Sequence, residues 1–274
     1  MTVYNSSFSR QSYKIFCIYA KKAVSLRDFF QKKDPKGFFI AMKTNRFAHK
    51  IAKDLIQWMP VIGFGGEVII VDEMSKMAEA IHYLRAQKVL GVDTESRPSF
   101  KRGVHYPTAL VQIATEERCY LFRLSHIGLP QELANIFADA SICKVGLAFK
   151  DDINGLRRLR NFKPANCVDL QSIAGQWGIL DLSLQKMYAI CFGRKISKTQ
   201  QLTNWENTQL TAEQARYAST DAWATLRIYK ELMDTEPLPA DKVAALKQAE
   251  IEKQIQHQQE VLAAREAQMN KDTE

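Results

Sequence analysis

The feature that most constrains this chain is a short apolar strand ending in carboxylates, VLGVDTES at 89–96. Its apolar half has the composition of a strand buried inside a sheet. Side chains alternate between the two faces of a strand, so Asp93 and Glu95 point the same way, about 7 Å apart. Asp-x-Glu is also common in surface turns, and the motif alone leaves that interpretation open. The buried strand before it favours carboxylates that project from the end of a sheet.

Two later segments also combine an apolar element with an acidic residue. KVGLAFKDD is a strand followed by an acidic turn, in which Asp152 is the candidate ligand and Asp151 the candidate helix N-cap. ARYASTDAW places Tyr217 and Asp221 four residues apart, on one face of one helix. An ionised Asp on an Ala-rich face is costly unless it is paired or binds a metal. Taken singly, the first pair could both be caps and the second a surface pair.

Together the three segments predict a metal site. Oxygen ligands are what Mg²⁺ and Mn²⁺ prefer, and two such ions about 3.5–4 Å apart can hold the attacking and leaving oxygens of a phosphodiester. Asp93, Glu95, Asp152 and Asp221 are the predicted ligands. Tyr217 is placed to orient a water molecule or to take part in proton transfer. These residues predict a nuclease.

Charge is distributed unevenly along the 274 residues. Residues 1–66 carry 12 Lys and Arg against 3 Asp and Glu, whereas the rest carries 26 against 27. A nearly neutral body suits an enzyme whose bound cations supply the positive charge. The basic leader either adds a salt-sensitive attraction to nucleic acid or is a solvated tail. We predict that 1–41 is a poorly ordered basic extension, with Met42 as a candidate natural start.

The cysteines and the hydropathy bear on the compartment. Five cysteines form no CxxC pair, and Cys119, Cys143 and Cys167 lie in apolar, strand-like surroundings, which predicts buried reduced thiols. Reduced thiols are typical of the cytoplasm. No run of 18 apolar residues is present, so the sequence predicts no membrane span.

Apolar periodicity predicts an α/β domain with a mixed sheet. The predicted strands are EVIIVD (67–72), VLGVDTE (89–95), PTALVQIAT (107–115), CYLFRL (119–124), CKVGLA (143–148) and CVDL (167–170). The predicted helices are 42–58, 74–86, 129–140, 151–160, 170–177, 183–193 and 211–233, followed by a polar helix over 240–270. The strands PTALVQIAT and CYLFRL are predicted to form a hairpin.

The three acidic segments, in this order, resemble the exonuclease motifs of the DEDDy 3′–5′ exonuclease superfamily, in its RNase D-like and Werner-exonuclease-like branch. The resemblance rests on Asp93-Thr94-Glu95, on Asp152 six residues after Gly146, and on Tyr217-Ala-Ser-Thr-Asp221-Ala. Spacings of 57 and 69 residues between the three motifs also fit. The resemblance covers about 67–233. The sequence departs from the family at Thr208-Gln209-Leu210, where members often carry Arg-Pro-Leu.

The resemblance implies an RNase H-like fold with a five-stranded mixed sheet flanked by helices. It implies two divalent cations held by the four carboxylates, Tyr217 oriented on the attacking water, and release of 5′-mononucleotides from a free 3′ end. It also places the backbone of Thr94 and the 96–106 loop near the 3′ nucleotide. The predicted exonuclease domain spans 42–236, and 237–274 is a polar helical tail.

Basic residues near the motifs are candidate substrate contacts. They are Arg97, Lys101 and Arg102 in the loop after the first motif, and Lys198 in a second polar loop. Aromatic residues lie among the first three, which suits a single-stranded DNA or RNA 3′ end. A solvated basic loop is the alternative. The functional alternatives are a non-catalytic nucleic-acid-binding module and a phosphodiesterase of very short oligonucleotides; the oligomeric state is left open.

Overall fold

The computed structural model describes residues 47–271 apart from Arg102. The strands are β1 (Val61–Ile62), β2 (Glu67–Val71), β3 (Val89–Ser96), β4 (Thr108–Ala114), β5 (Arg118–Arg123), β6 (Cys143–Gly146), β7 (Cys167–Asp169) and β8 (Lys195–Ile196). The helices are α1 (Lys53–Ile56), α2 (Met77–Arg85), α3 (Leu124–Ile127), α4 (Gln131–Ala138), α5 (Phe149–Leu159), α6 (Leu170–Ile173), α7 (Leu184–Phe192), α8 (Ala212–Met233) and α9 (Ala240–Lys271). The predicted extension 1–41 lies outside the described residues.

The main sheet has the strand order β2-β5-β4-β3-β6-β7. Strands β3, β4 and β5 are antiparallel neighbours, which confirms the predicted hairpin, and β6 and β7 continue the sheet in parallel from β3. The mixed sheet is as predicted and contains all six strands predicted from the apolar pattern, whereas the count of five implied by the resemblance is wrong. The sixth is β2, which pairs in parallel with β5 and extends the sheet at that edge.

Helices cover both faces of the sheet, because its strands alternate two sets of apolar side chains. Leu90 and Val92 of β3 face the layer that contains α2, α4 and α5. The intervening Gly91 faces α8 on the opposite side. A Cβ at Gly91 would lie 2.1 Å from the carbonyl oxygen of Ala222. The backbone of α8 therefore rests directly on β3, at a distance that only glycine permits.

The N-terminus of α8 is fixed by a capping box. The Thr211 side chain accepts the backbone N–H of Gln214, and the Gln214 side chain accepts that of Thr211. Just before the helix, Trp205 is fully buried and packs against Tyr217, with ring centroids 6.0 Å apart. Trp205 is therefore a core residue that supports the first turns of α8.

The predicted helix over 42–58 is wrong for most of its described part. Only Lys53–Ile56 is helical, and Ala52 has an extended backbone. The peptide N–H of Ile51 donates to Asp181 at 2.7 Å, and the carbonyl of His49 accepts from Leu180 N at 2.8 Å. These contacts tie residues 49–51 to residues 180–181, so tertiary hydrogen bonds override the helical pattern.

The polar helix predicted at the C-terminal end forms as α9. The Lys50–Glu250 ion pair attaches the first half of α9 to the segment before α1. Just before the helix, Leu238 N donates to Gln176 O at 2.8 Å. No helix in the described part of the chain has the length and apolar character needed to cross a membrane. The domain boundaries at 42, 236 and 237 stay predictions.

The four described cysteines are free thiols, as predicted. Cys119 and Cys143 are buried, but Cys167 is exposed, which contradicts its predicted burial. Cys167 begins β7, the edge strand of the sheet, and therefore lacks a neighbouring strand on its outer side.

Candidate metal centre

Three of the four predicted ligands meet at the junction of β3 and α8. Asp93, Glu95 and Asp221 each present a carboxylate oxygen, and these oxygens lie within 4.8 Å of one another. The alternation of β3 puts the first two on one face. The close contact at Gly91 brings α8, and with it Asp221, against that face. A strand and a helix thus assemble a three-carboxylate cluster.

The electrostatics of this cluster favour a cation. Burial, followed by the negative charge of neighbouring carboxylates, raises the pKa of Asp93 well above its usual value and the pKa of Glu95 to about 9. Burial also raises the pKa of Asp221 to about 7, against the opposing effects of Tyr217 and Lys198. Asp221 Oδ1 is buried and has no hydrogen-bond partner among the described residues. Clustered carboxylates that repel one another, with one buried oxygen that lacks a donor, suit a divalent cation.

Asp152 stands beside this cluster rather than inside it. Its carboxylate is absent from the three-residue group but is near enough for its charge to raise the pKa of Asp93 and Glu95. The Thr94 hydroxyl donates to Asp152 Oδ1 at 2.5 Å. Burial raises the pKa of Asp152 to about 7 although this hydrogen bond lowers it. The predicted ligands therefore divide into a group of three and a neighbouring fourth.

The start of α5 differs from the prediction. Asp151 is not the N-cap: the helix begins at Phe149, with Ala148 at the cap position and no local side-chain cap. Asp169, at the end of β7, instead accepts the backbone N–H groups of Ala148 and Phe149. This role of Asp169 was not predicted from the sequence. Its only signal was an acidic residue at the end of the strand CVDL.

Tyr217 lies one helical turn before Asp221 and is 8% exposed. Burial, together with the charges of Asp221 and Glu95, raises the pKa of the Tyr217 hydroxyl far above its usual value. The group therefore stays protonated at neutral pH, and its proximity to Asp221 lowers the pKa of that carboxyl. Tyr217 can therefore donate a hydrogen bond at the edge of the cluster.

The predicted substrate contacts occupy different environments. Arg97 lies 4.9 Å above the Tyr106 ring and 3.6 Å from a Glu206 carboxylate oxygen. Lys101 and Lys198 are exposed, and the charge of Lys198 acts on Asp221. Arg102 lies outside the described residues. Lys198 therefore lies near the cluster, whereas Arg97 contacts Tyr106 and Glu206.

The loop before α8, where the chain departs from the family pattern, is held by a residue that was not predicted from the sequence. Arg123 is 1% exposed and donates to the carbonyl oxygens of Asn207 and Thr208. Burial lowers the pKa of its guanidinium. A buried arginine of β5 therefore fixes the loop that leads into the helix of Tyr217 and Asp221.

A mixed sheet with helices on both faces and carboxylates gathered on its central strand defines the class, the RNase H-like fold. The 3′–5′ exonuclease family pattern matches residues 68–236, which is more than half of the chain. The chain belongs to this 3′–5′ exonuclease family, which is divalent-metal dependent.

Individual proteins agree with this assignment. A 3′-5′ exonuclease of Arabidopsis thaliana is 30% identical over 194 residues, covering 64% of this chain and 66% of that protein. The bifunctional 3′-5′ exonuclease/ATP-dependent helicase WRN of Mus musculus is 31% identical over 189 residues, covering 64% of this chain and 13% of that protein. The structure of Trypanosoma brucei RNase D in complex with RNA U12 matches with a TM-score of 0.57 at 20% identity, covering 67% of this chain and 68% of that one. The chain spans less than two thirds of the length of these two curated relatives.

Proposed function

We propose that this protein is a 3′–5′ exonuclease that hydrolyses the terminal phosphodiester bond of a nucleic acid and releases 5′-mononucleotides. The observation that carries the proposal is the cluster of Asp93, Glu95 and Asp221, within 4.8 Å, in a chain of the 3′–5′ exonuclease family. A binding module that no longer cuts has no need for such a cluster. Gathering carboxylates in a half-buried position is destabilising unless a cation neutralises them.

Asp93, Glu95 and Asp221 would hold one divalent cation, and Asp152 stands where it would help to hold a second. Mg²⁺ and Mn²⁺ are the candidates because the donors are all carboxylate oxygens. When bound, such cations lower the pKa of water and stabilise the negative charge that develops on the leaving oxygen. The protein contributes the fixed geometry of β3 and α8, which holds the ligands in place before substrate arrives.

Tyr217 orients the attacking water in this proposal. Its protonated hydroxyl donates a hydrogen bond to the water oxygen and so fixes the direction of a lone pair toward the phosphorus. Burial and the neighbouring carboxylates raise the pKa of this hydroxyl, which favours the role of hydrogen-bond donor. A part in proton transfer is the alternative role of Tyr217.

The substrate in this proposal is a single-stranded 3′ end of DNA or RNA. Lys101 and Lys198 are exposed cations available to phosphates, and Phe100, which is 85% exposed, offers a surface for base stacking. The RNA complex of the T. brucei relative supports a nucleic-acid substrate. The contacts predicted for the Thr94 backbone and Arg97, and the cytoplasmic location, remain part of the proposal.

The test is digestion of matched 5′-labelled 20-mers of DNA and RNA, with Mg²⁺, Mn²⁺ or EDTA. We expect a ladder that shortens from the 3′ end, no reaction in EDTA, and no reaction by Asp221→Ala or Asp152→Asn. A parallel reaction on 2-mers distinguishes a polymer exonuclease from a phosphodiesterase of very short oligonucleotides. Full activity of Asp221→Ala, or cleavage that persists in EDTA, would remove the proposed centre.

A further inference from the structure

The turn between β6 and α5 is held by a carboxylate from another strand. Asp169 Oδ1 accepts the backbone N–H of Ala148 at 3.0 Å, and Asp169 Oδ2 accepts that of Phe149 at 3.0 Å. The same Oδ1 accepts from Gln171 N at 2.9 Å, which makes Asp169 the N-cap of α6. One side chain therefore fixes the first residues of two helices.

The backbone of this turn needs the restraint. Ala148 has φ +54°, in the left-handed region that residues with a Cβ disfavour. The first N–H groups of any helix lack partners inside the helix, and α5 has no local cap to supply one. Asp169 can reach them because Gly146 and Asp169 are register partners of β6 and β7. Its negative charge at the N-terminus of α5 is also favourable to the helix dipole.

This turn determines where Asp152 lies. Asp152 follows Phe149 by three residues, in the first turn of α5. The Thr94 hydroxyl, on the face of β3 opposite to Asp93 and Glu95, donates to Asp152 at 2.5 Å. Asp152 is thus restrained twice, once through the helix backbone by β7 and once through its own carboxylate by β3.

We propose that Asp169 and Thr94 are positioning residues that together fix the carboxylate of Asp152 beside the three-carboxylate cluster. Their effect on turnover rests on the proposed function, whereas their effect on cation binding does not. Asp169 acts through the α5 backbone and Thr94 through its hydroxyl. A misplacement of about 1 Å at such a site costs on the order of 100-fold in rate, so a loose α5 would impair catalysis while the fold survives.

Asp169→Asn is the informative substitution. Asparagine caps helices as well as aspartate, so α6 keeps its cap. Its amide oxygen can keep the bonds from Ala148 and Gln171, but the NH₂ group that replaces Oδ2 is a donor and cannot accept the N–H of Phe149. We expect kcat to fall about 10–100-fold, KM for a single-stranded 20-mer to stay unchanged, and half-maximal activity to require more Mn²⁺.

Thr94→Val and Thr94→Ser form a matched pair. Valine removes the hydroxyl at nearly constant shape and should reproduce the loss in kcat, whereas serine keeps the hydroxyl and should restore most of it. Ser183→Ala is the structural control, because it removes the N-cap of α7, in which Ser183 accepts from Lys186 N at 3.4 Å. It should lower Tm by a few degrees and leave kcat unchanged.

A readout without turnover is the rise of Tm with added Mn²⁺. Asp169→Asn and Thr94→Val should move the midpoint of this titration to higher Mn²⁺ in the otherwise unchanged chain, but not in the Asp152→Ala chain. Unchanged kcat and midpoint, or an equal shift in the Asp152→Ala chain, would overturn the positioning role. If Asp169→Asn does not fold, the comparison of Thr94→Val with Thr94→Ser tests the positioning role. If the unchanged protein cleaves no nucleic acid, the proposed function fails, and the Mn²⁺ titration still decides the positioning.

Discussion

Gly91→Ala should disable the candidate centre without touching any carboxylate. The added Cβ would lie 2.1 Å from the Ala222 carbonyl oxygen and 2.8 Å from Leu226 Cβ. The nearest atom belongs to the backbone of α8, so no side-chain rotation relieves the clash. Ala222 directly follows Asp221, and the whole helix segment must move to make room.

The size of the effect follows from this clash. Contacts shorter than 3.0 Å are essentially never seen for a real Cβ, so the carbonyl must withdraw from 2.1 Å to at least that distance. The required movement of about 1 Å, transmitted to Asp221, should lower kcat on the order of 100-fold. Overpacking of this kind costs roughly 1–3 kcal/mol in the free energy of unfolding, which corresponds to a loss of about 2–12 °C in Tm.

The assay compares Gly91→Ala with Gly65→Ala. A Cβ at Gly65 would meet nothing within 4 Å, so this control adds the same methyl group in open space. Both proteins are measured for Tm, for exonuclease rate on a 5′-labelled strand, and for the Tm rise with Mn²⁺. The Mn²⁺ response should shrink only in Gly91→Ala. A rate and a Tm equal to those of Gly65→Ala would refute the idea that contact at Gly91 sets the position of Asp221.

Three other perturbations test the centre and its surroundings. Tyr217→Phe should slow turnover but leave the Mn²⁺-induced rise of Tm intact, and an unchanged rate would reduce Tyr217 to packing. In EDTA, Tm should fall as pH rises through about 7 and on to about 9. The folded-state pKa values of Asp152, Asp221 and Glu95 lie above those of the unfolded chain. The folded state therefore binds more protons, and its stability falls as they are lost. Saturating Mn²⁺ should flatten this dependence of Tm on pH, and Asp221→Asn should weaken it. An unchanged slope of Tm against pH in Asp221→Asn would contradict the raised pKa of Asp221. Lys198→Ala should weaken oligonucleotide binding in EDTA and reduce the salt dependence of log Kd by about one counterion, measured by fluorescence anisotropy.

Two pairs of site residues were accessible from local periodicity, and the shared preference of their oxygens for a cation, with the family resemblance, joined them into one predicted site. Alternation along a strand puts Asp93 and Glu95 on one face. A spacing of four residues puts Tyr217 and Asp221 on one side of a helix. The mixed sheet followed from the apolar pattern of its strands. The catalytic roles of these residues stay predictions, as do the substrate contacts.

Features that depend on pairing between distant segments were missed. Asp169 reaches α5 only because β6 and β7 are neighbours, and nothing in the sequence states that register. The same limit explains the error at Asp151, which has the residue type of an N-cap but not the position. Residues 49–51 carry a helical pattern but are not helical, since hydrogen bonds to 180–181 decide their conformation.

The arrangement along β3 makes the centre sensitive to insertion and deletion. Consecutive residues of this strand serve opposite sides of the sheet: Asp93 and Glu95 form the cluster, while Thr94 binds Asp152. A slip of a single position would turn both acidic side chains into the apolar layer and bring a hydroxyl into their place. The strand can therefore change by substitution, but a change in its length would exchange the two sides and destroy the core and the site at once.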